Sequence, residues 1–198
     1  MSFDVAFLNT LPAAVYAAII LFLLKEGLEW RRRTKADQRK LKVYKQVLAA
    51  ECERYLWIIK TIQSMKRRVD KRPGAYRIDT DASGRQFFTT LNENGDGGGG
   101  SMLPNVRVER IEELAADVAY VDEGLATSVG NALGAALELK HLRDSILDNQ
   151  NPWDKINTPE FHESFWDYVD EEAEDAKKAF GELYLACTGK ELTSHRVR

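Results

Sequence analysis

Residues 5–24 read VAFLNTLPAAVYAAIILFLL, twenty positions without a formal charge between Asp4 and Lys25. A helix rises about 1.5 Å per residue, so this stretch would reach roughly 30 Å, the thickness of the hydrocarbon core of a bilayer. A helix buried in a soluble core would carry polar residues along one face, whereas in the second half of this stretch only Tyr16 has a polar side-chain group. The pattern therefore predicts a transmembrane helix over residues 5–24.

The flanks of this stretch predict its orientation. Residues 1–4 are acidic, which disfavours a cleaved signal peptide and leaves them as a short extracytoplasmic N-terminus. The other flank is basic, and the positive-inside rule places such a flank in the cytoplasm. The sequence thus predicts a single-pass protein of the plasma or inner membrane. The predicted membrane-interface residues are Lys25, Trp30, Arg31, Arg32 and Arg33. The basic residues among them serve either as a topology signal alone or also as a binding site for anionic lipid.

Charge is unevenly distributed along the chain, although the net charge of −3 gives no overall indication of nucleic-acid binding. Residues 25–72 hold 16 Lys and Arg against six Asp and Glu, whereas residues 73–198 hold 12 against 24. The two parts are complementary, so the acidic remainder of the chain can neutralise the basic segment before any partner is considered.

Apolar residues recur every three or four positions in three long stretches, which predicts three bundle helices. The first, residues 25–72, continues the membrane span, and its stripe is Leu41, Tyr44, Leu48, Cys52, Tyr55, Ile59, Ile62 and Val69. The second, residues 105–149, is expected to lie antiparallel to the first. The third, residues 159–188, follows Thr158, a good N-cap, and precedes a tail of residues 189–198.

Residues 73–104 have a different composition from the helices. Residues 76–78 and 86–91 predict two short strands around a turn at residues 79–84, and the glycine-rich residues 94–101 predict a flexible loop. The turn also imitates the first half of a calcium-binding loop, but its twelfth position is Thr90 instead of a bidentate Glu. Turn chemistry explains the Asp and Gly residues equally well.

No pattern in the chain indicates catalysis, a cofactor or a metal site. Glu138-x-x-His141 has the spacing of half a di-iron site, but the second copy that this chemistry needs is missing. Cys52 and Cys187 lack the spacing of metal ligands and are expected to be buried thiols. We therefore expect a protein that is not an enzyme and that has no cofactor.

A second basic cluster lies at the far end of the first bundle helix. Basic residues beside aromatic ones can hold a phosphate-bearing ligand, with a ring stacked on a base. Neutralisation by the acidic helices is the simpler interpretation of the same charges. The candidate contacts for a ligand or partner are Lys66, Arg67, Arg68, Lys71, Arg72, Tyr76 and Phe87.

The predicted fold is all-α: one N-terminal transmembrane helix that continues into a cytosolic three-helix bundle with a small hairpin and a glycine-rich insertion. The corresponding functional hypothesis is a membrane-anchored, self-associating interaction or scaffold protein, with the lipid bilayer, other copies of itself and an unknown protein as partners. The alternative is a membrane effector or sensor, for example in defence or lysis, whose distal basic end binds a partner or an anionic ligand and whose spans perturb the membrane. Nucleic acid or a nucleotide stays open as such a ligand.

Overall fold

The computed structural model describes residues 12–71, 76–91, 97–149 and 159–193. Helices make up 77% of these residues, and the strands form one three-stranded antiparallel sheet. The helices are α1 (Ala13–Lys71), α2 (Glu109–Ala119), α3 (Glu123–Asp148) and α4 (Pro159–Thr188), and the strands are β1 (Tyr76–Thr80), β2 (Gln86–Leu91) and β3 (Gly97–Met102). The chain divides into two compact units, Met1–Lys42 and Val43–Arg198, and α1 contributes residues to both.

The prediction of a transmembrane helix over residues 5–24 is wrong. Among the described residues, no helix is both long and apolar enough to span a membrane. The physical reason is where α1 begins: only 12 of its residues precede Lys25, and 12 residues rise about 18 Å, well short of a bilayer's hydrocarbon core. Residues 5–11 lie outside the described ranges. The predicted single-pass localisation and the all-α class with a membrane anchor are corrected with it.

Helix α1 runs for 59 residues because nothing in its sequence interrupts it. It contains no proline, and its one glycine, Gly27, costs a helix interior only about 1 kcal/mol. Within Val43–Arg198, α1 and α4 run antiparallel. Tyr55 of α1 stacks on Phe180 of α4, and Gln63, which comes later in α1, donates a hydrogen bond to Glu174, which comes earlier in α4.

In the unit Val43–Arg198, the helices α1, α3 and α4 supply most of the hydrophobic core. The buried residues of α1 are Leu48, Cys52, Tyr55, Leu56, Ile58, Ile59, Ile62 and Met65. Those of α3 are Leu125, Val129, Ala132, Ala136, Leu139, Leu142 and Ile146, and those of α4 are Phe165, Trp166, Val169, Ala173, Ala176, Phe180 and Leu183. The spacing of three and four in each set places one face of each helix in the core.

The structure has two helices where the sequence predicted one over residues 105–149. Helix α2 ends at Ala119 and α3 begins at Glu123. Asp122 has extended backbone, and its side chain accepts a hydrogen bond from the backbone N–H of Leu125, 3.0 Å away. This is the geometry of an N-cap, which satisfies a donor that the first turn of a helix leaves free. Asp122 therefore starts a new helix.

The sheet contains one more strand than the sequence predicted, because β3 forms from residues expected to be a flexible loop. It pairs antiparallel with β2, with Gly100 opposite Thr89. A Cβ atom at position 100 would lie 3.1 Å from the carbonyl oxygen of Phe88 and 3.2 Å from the Thr89 hydroxyl. Glycine thus allows the two backbones to approach closely at this position.

The turn between β1 and β2 is organised by Asp81. Its Oδ1 accepts hydrogen bonds from the backbone N–H groups of Ser83 and Arg85, at 2.8 and 2.9 Å. Gly84 has a φ of +79°, a conformation that other residues rarely adopt. The Asp and Gly residues that imitated a calcium loop therefore make a tight turn through their own hydrogen bonds. The hydrogen bond that the Ser83 hydroxyl donates to Asp81, together with those from the backbone, lowers the pKa of Asp81 to about 2.

Candidate interaction surface

The most unusual surface in the described residues is the first part of α1. Nine large apolar side chains there are between 37% and 72% exposed: Val15, Ile19, Ile20, Leu21, Phe22, Leu23, Leu24, Leu28 and Trp30. We call residues 15–30 of α1 the apolar segment. Successive residues of a helix point about 100° apart, so the run from residue 19 to residue 24 covers the whole circumference. A helix that is apolar all round is normally buried.

The size of this surface distinguishes it from ordinary scattered exposure. Nine such side chains, each about half exposed, present on the order of 1,000 Å², whereas the largest apolar patch of a typical monomer covers roughly 300–600 Å². A standard protein interface buries about 800 Å² on each partner. The apolar segment alone therefore offers enough area for a stable interface.

A basic collar follows the apolar segment directly. We define it as Arg31, Arg32, Arg33 and Lys35, which are all exposed. Arg33 has a partner on its own helix, the carboxylate of Glu29 at 3.5 Å. An exposed ion pair of this kind contributes little to stability, roughly 0–1 kcal/mol. The residues predicted to meet a membrane interface are thus exposed on α1, near the end of the apolar segment. They are Lys25, Trp30, Arg31, Arg32 and Arg33.

The distal basic cluster is partly occupied by contacts within the chain. The ammonium group of Lys66 lies 2.8 Å from Asp70 and 3.2 Å from Asp167, and these contacts raise the pKa of Lys66. Arg67 donates a hydrogen bond to the carbonyl oxygen of Gln63, 3.3 Å away. Among the other predicted contacts, Arg68 is half-buried, Lys71 is exposed and Arg72 lies outside the described residues.

The aromatic residues that were expected to stack on a ligand pack against the protein instead. Tyr76 is only 3% exposed, and its ring stacks on Phe88 with 4.9 Å between the centroids. Its hydroxyl donates a hydrogen bond to the carbonyl oxygen of Ile146 at 3.0 Å, and burial raises its pKa. Phe87 is half-buried on β2. Tyr76 therefore belongs to the contact between the sheet and the helices.

The polar groups that the sequence singled out do not form a metal centre. In the described residues, no group of three or more His, Cys, Asp or Glu side chains could hold a metal ion. Glu138 accepts a hydrogen bond from the hydroxyl of Tyr168 at 2.8 Å, which raises the pKa of Tyr168 to about 12. Cys52 is buried and Cys187 half-buried, and burial raises the pKa of both thiols. A raised pKa disfavours the reactive thiolate.

The uncharged run that the sequence shows ends at Leu24 and does not include Leu28. In the structure Leu28 is 58% exposed and extends the apolar surface by one turn. The pattern that could have revealed this is helical spacing, because Leu28 lies one turn after Leu24 and on the same face.

Comparisons of the chain with family models, with curated proteins and with solved structures find no match.

Proposed function

We propose that this chain is a non-enzymatic interaction protein that associates with itself through the apolar segment of α1. The residues from Val43 onward form the folded support, and the segment that precedes it is the docking surface. A single observation carries the proposal: nine large apolar side chains cover every side of one helix and stay in contact with water.

Association follows from the energetics of such a helix. Burying apolar surface contributes about 25 cal/mol per Å², so covering half of roughly 1,000 Å² would contribute on the order of 10 kcal/mol before the costs of association. An isolated helix gains little stability from its backbone hydrogen bonds alone. Covering the apolar segment therefore stabilises both the helix and the complex.

The mass of the purified full-length chain in solution tests this proposal. We expect light scattering after size exclusion to give a multiple of the mass of one chain. The double variant Ile20→Glu/Leu23→Glu should raise the dissociation constant of the self-associated protein at least tenfold. A charged side chain cannot be buried in an apolar interface without a partner. The matched control is Leu137→Glu/Leu185→Glu, which changes two exposed leucines outside the segment and leaves the mass unchanged. A wild-type chain that stays a single copy at micromolar concentration would sink the proposal.

The alternative of a ligand at the distal basic cluster stays a prediction. Lys66 already has two carboxylate partners and Tyr76 is buried, so the contacts described for this end of α1 favour the structural interpretation of its charges.

A further inference from the structure

The order of residues along the apolar segment indicates how two copies would meet. One face of α1 carries Tyr16, Ile20, Leu23 and Gly27, which are separated by four, three and four positions. This is the spacing of the contact face in a coiled coil. Ile20 and Leu23, at the centre of this face, are 56% and 62% exposed, and Tyr16 is half-buried.

This face is complementary to itself when two helices run in opposite directions. If two copies cross between residues 21 and 22, position 16 lies level with position 27 of the other copy, and position 20 lies level with position 23. Tyr16 then faces Gly27, where a Cβ atom would have no other heavy atom within 4 Å. A large ring thus meets the position with the most room.

The charged residues of the segment fit the same arrangement. At about 100° per residue, Lys25 and Glu29 point away from the face of Tyr16, Ile20, Leu23 and Gly27, and Glu26 lies at its flank. Their charged groups can therefore stay in contact with water when this face is covered.

The basic collar also favours opposite directions. In a parallel pair the two collars would lie side by side, within the screening length of about 8 Å at physiological salt. In the antiparallel pair Arg31 lies level with Pro12, where the helix of the opposite copy begins. The two collars then lie at opposite ends of the pair, and the repulsion between them is avoided.

We propose that the occupant of this face is the same face of a second copy, in an antiparallel pair of α1 helices centred between Leu21 and Phe22. The inference rests on the proposed self-association and adds the contact face and the direction. The adjoining side of the segment, with Leu21, Leu24 and Leu28, stays exposed in such a pair.

Disulfide trapping in full-length chains tests the direction. In a Cys52→Ala/Cys187→Ala background, two differently tagged chains carry Tyr16→Cys and Gly27→Cys and are oxidised with copper phenanthroline, alone and mixed. We expect efficient cross-linking only in the mixture, where a disulfide joins Cys at position 16 of one chain to Cys at position 27 of a chain with the other tag. In an antiparallel pair two copies of position 16 are about 16 Å apart along the axis, too far for a disulfide. Cross-linking of either variant with itself would overturn the proposal and leave self-association intact.

A residue exchange provides a second measurement if the cysteine variants assemble poorly. Gly27→Tyr alone puts two rings at one level and should raise the dissociation constant at least tenfold, whereas Tyr16→Gly/Gly27→Tyr restores one ring opposite one glycine. We expect the double variant to recover association. No recovery, with both variants helical by circular dichroism, contradicts the arrangement. A chain that stays a single copy and binds vesicles of phosphatidylcholine and phosphatidylglycerol would overturn both this inference and the proposed function.

Discussion

At the scale of single residues, one ring pair joins three parts of the second unit. Tyr55 of α1 and Phe180 of α4 stack with 4.4 Å between their centroids and 11° between their planes, and neither is accessible to water. The hydroxyl of Tyr55 donates a hydrogen bond to the carbonyl oxygen of Arg107, 2.7 Å away, in the chain that leads into α2. The pair thereby combines apolar burial with a satisfied polar group.

Replacing Phe180 by alanine should destabilise the protein by about 3–5 kcal/mol, because the change removes buried surface and leaves a cavity that the stacked Tyr55 cannot fill. Urea denaturation followed by circular dichroism measures the change. The matched control is Leu185→Ala on the same helix, where the side chain is half exposed and the change should stay within roughly 1 kcal/mol. Equal effects of the two substitutions would contradict the assigned core.

Several tyrosines make the protein sensitive to alkaline pH. Burial raises the pKa of Tyr55 to about 12, and the hydrogen bond to Glu138 raises that of Tyr168 to about 12. An unfolded tyrosine has a pKa of about 10. The folded state therefore binds these protons more tightly, and this contribution to stability is fully present below pH 10 and lost as the pH rises from about 10 to 12.

We expect the midpoint of urea denaturation to fall steeply between pH 10 and pH 12. Absorbance of tyrosinate at alkaline pH should show these hydroxyls ionising together with unfolding. In Tyr168→Phe the fall should be shallower, since one of the late protons is gone, whereas Tyr120→Phe, which changes a fully exposed tyrosine, should behave as the wild type. Stability that does not change over this interval would contradict the described environments.

At the scale of elements, two glycines allow a matched test of the sheet. Alanine at position 100 would place its Cβ 3.1 Å from a backbone oxygen of β2, which cannot move without disturbing the strand pairing. We expect Gly100→Ala to destabilise the protein by about 1–3 kcal/mol. Gly130, inside α3, has open space around it, so Gly130→Ala should stabilise the protein by about 0.5–1 kcal/mol. Thermal melts of both variants decide whether β3 is paired as described.

The break between α2 and α3 depends on the cap at Asp122. Asp122→Ala removes the acceptor for the backbone N–H of Leu125 and should cost about 1 kcal/mol. Asp122→Ser keeps an acceptor at the same place, so its stability should stay close to that of the wild type. Denaturation of the two variants side by side measures the difference. An alanine variant as stable as the serine variant would indicate that residues 120–122 do not end one helix and start another.

The sequence predicted those elements that local periodicity specifies. Spacings of three and four placed Leu48, Ile59 and Ile62 on one face of α1, and the structure buries all three. Periodicity could not locate β3, because a run of glycines has no apolar pattern and its pairing depends on distant residues of β2. It also missed Trp166, which is buried because the rings of Tyr76 and Phe88 lie against it at 5.6 and 5.8 Å.

The interaction surface was visible in the sequence, but its meaning was not. An uncharged run of twenty residues satisfies the length criterion for a membrane span only if all of them are helical. The described helix begins at Ala13, directly after Pro12, so only its residues from Ala13 onward count toward that length. For the distal cluster, the sequence could predict neutralisation by the acidic helices but not the partners: Asp167 is about a hundred residues from Lys66 in the chain and 3.2 Å away in space.

At the scale of the whole molecule, the buried core and the exposed apolar run belong to different parts of the chain. Every buried apolar residue of the described ranges lies between Leu48 and Leu183, inside the unit Val43–Arg198. The exposed apolar run lies inside the unit Met1–Lys42. Because the apolar segment contributes no buried residue to the core, it can be changed by mutation without unfolding the rest of the chain, which is why the charge substitutions proposed for it are informative.

A fragment of residues 43–198 should therefore fold and lose self-association at the same time. We expect a cooperative thermal transition by circular dichroism and, by light scattering, the mass of a single fragment, because the core is retained and the apolar segment is gone. A fragment of residues 53–198 is the matched control: it also lacks Leu48 and Cys52, two residues with no exposure to water, and should melt at a clearly lower temperature. A fragment of residues 43–198 that still associates would place the contact between copies within residues 43–198 and exclude the apolar segment as the main docking surface.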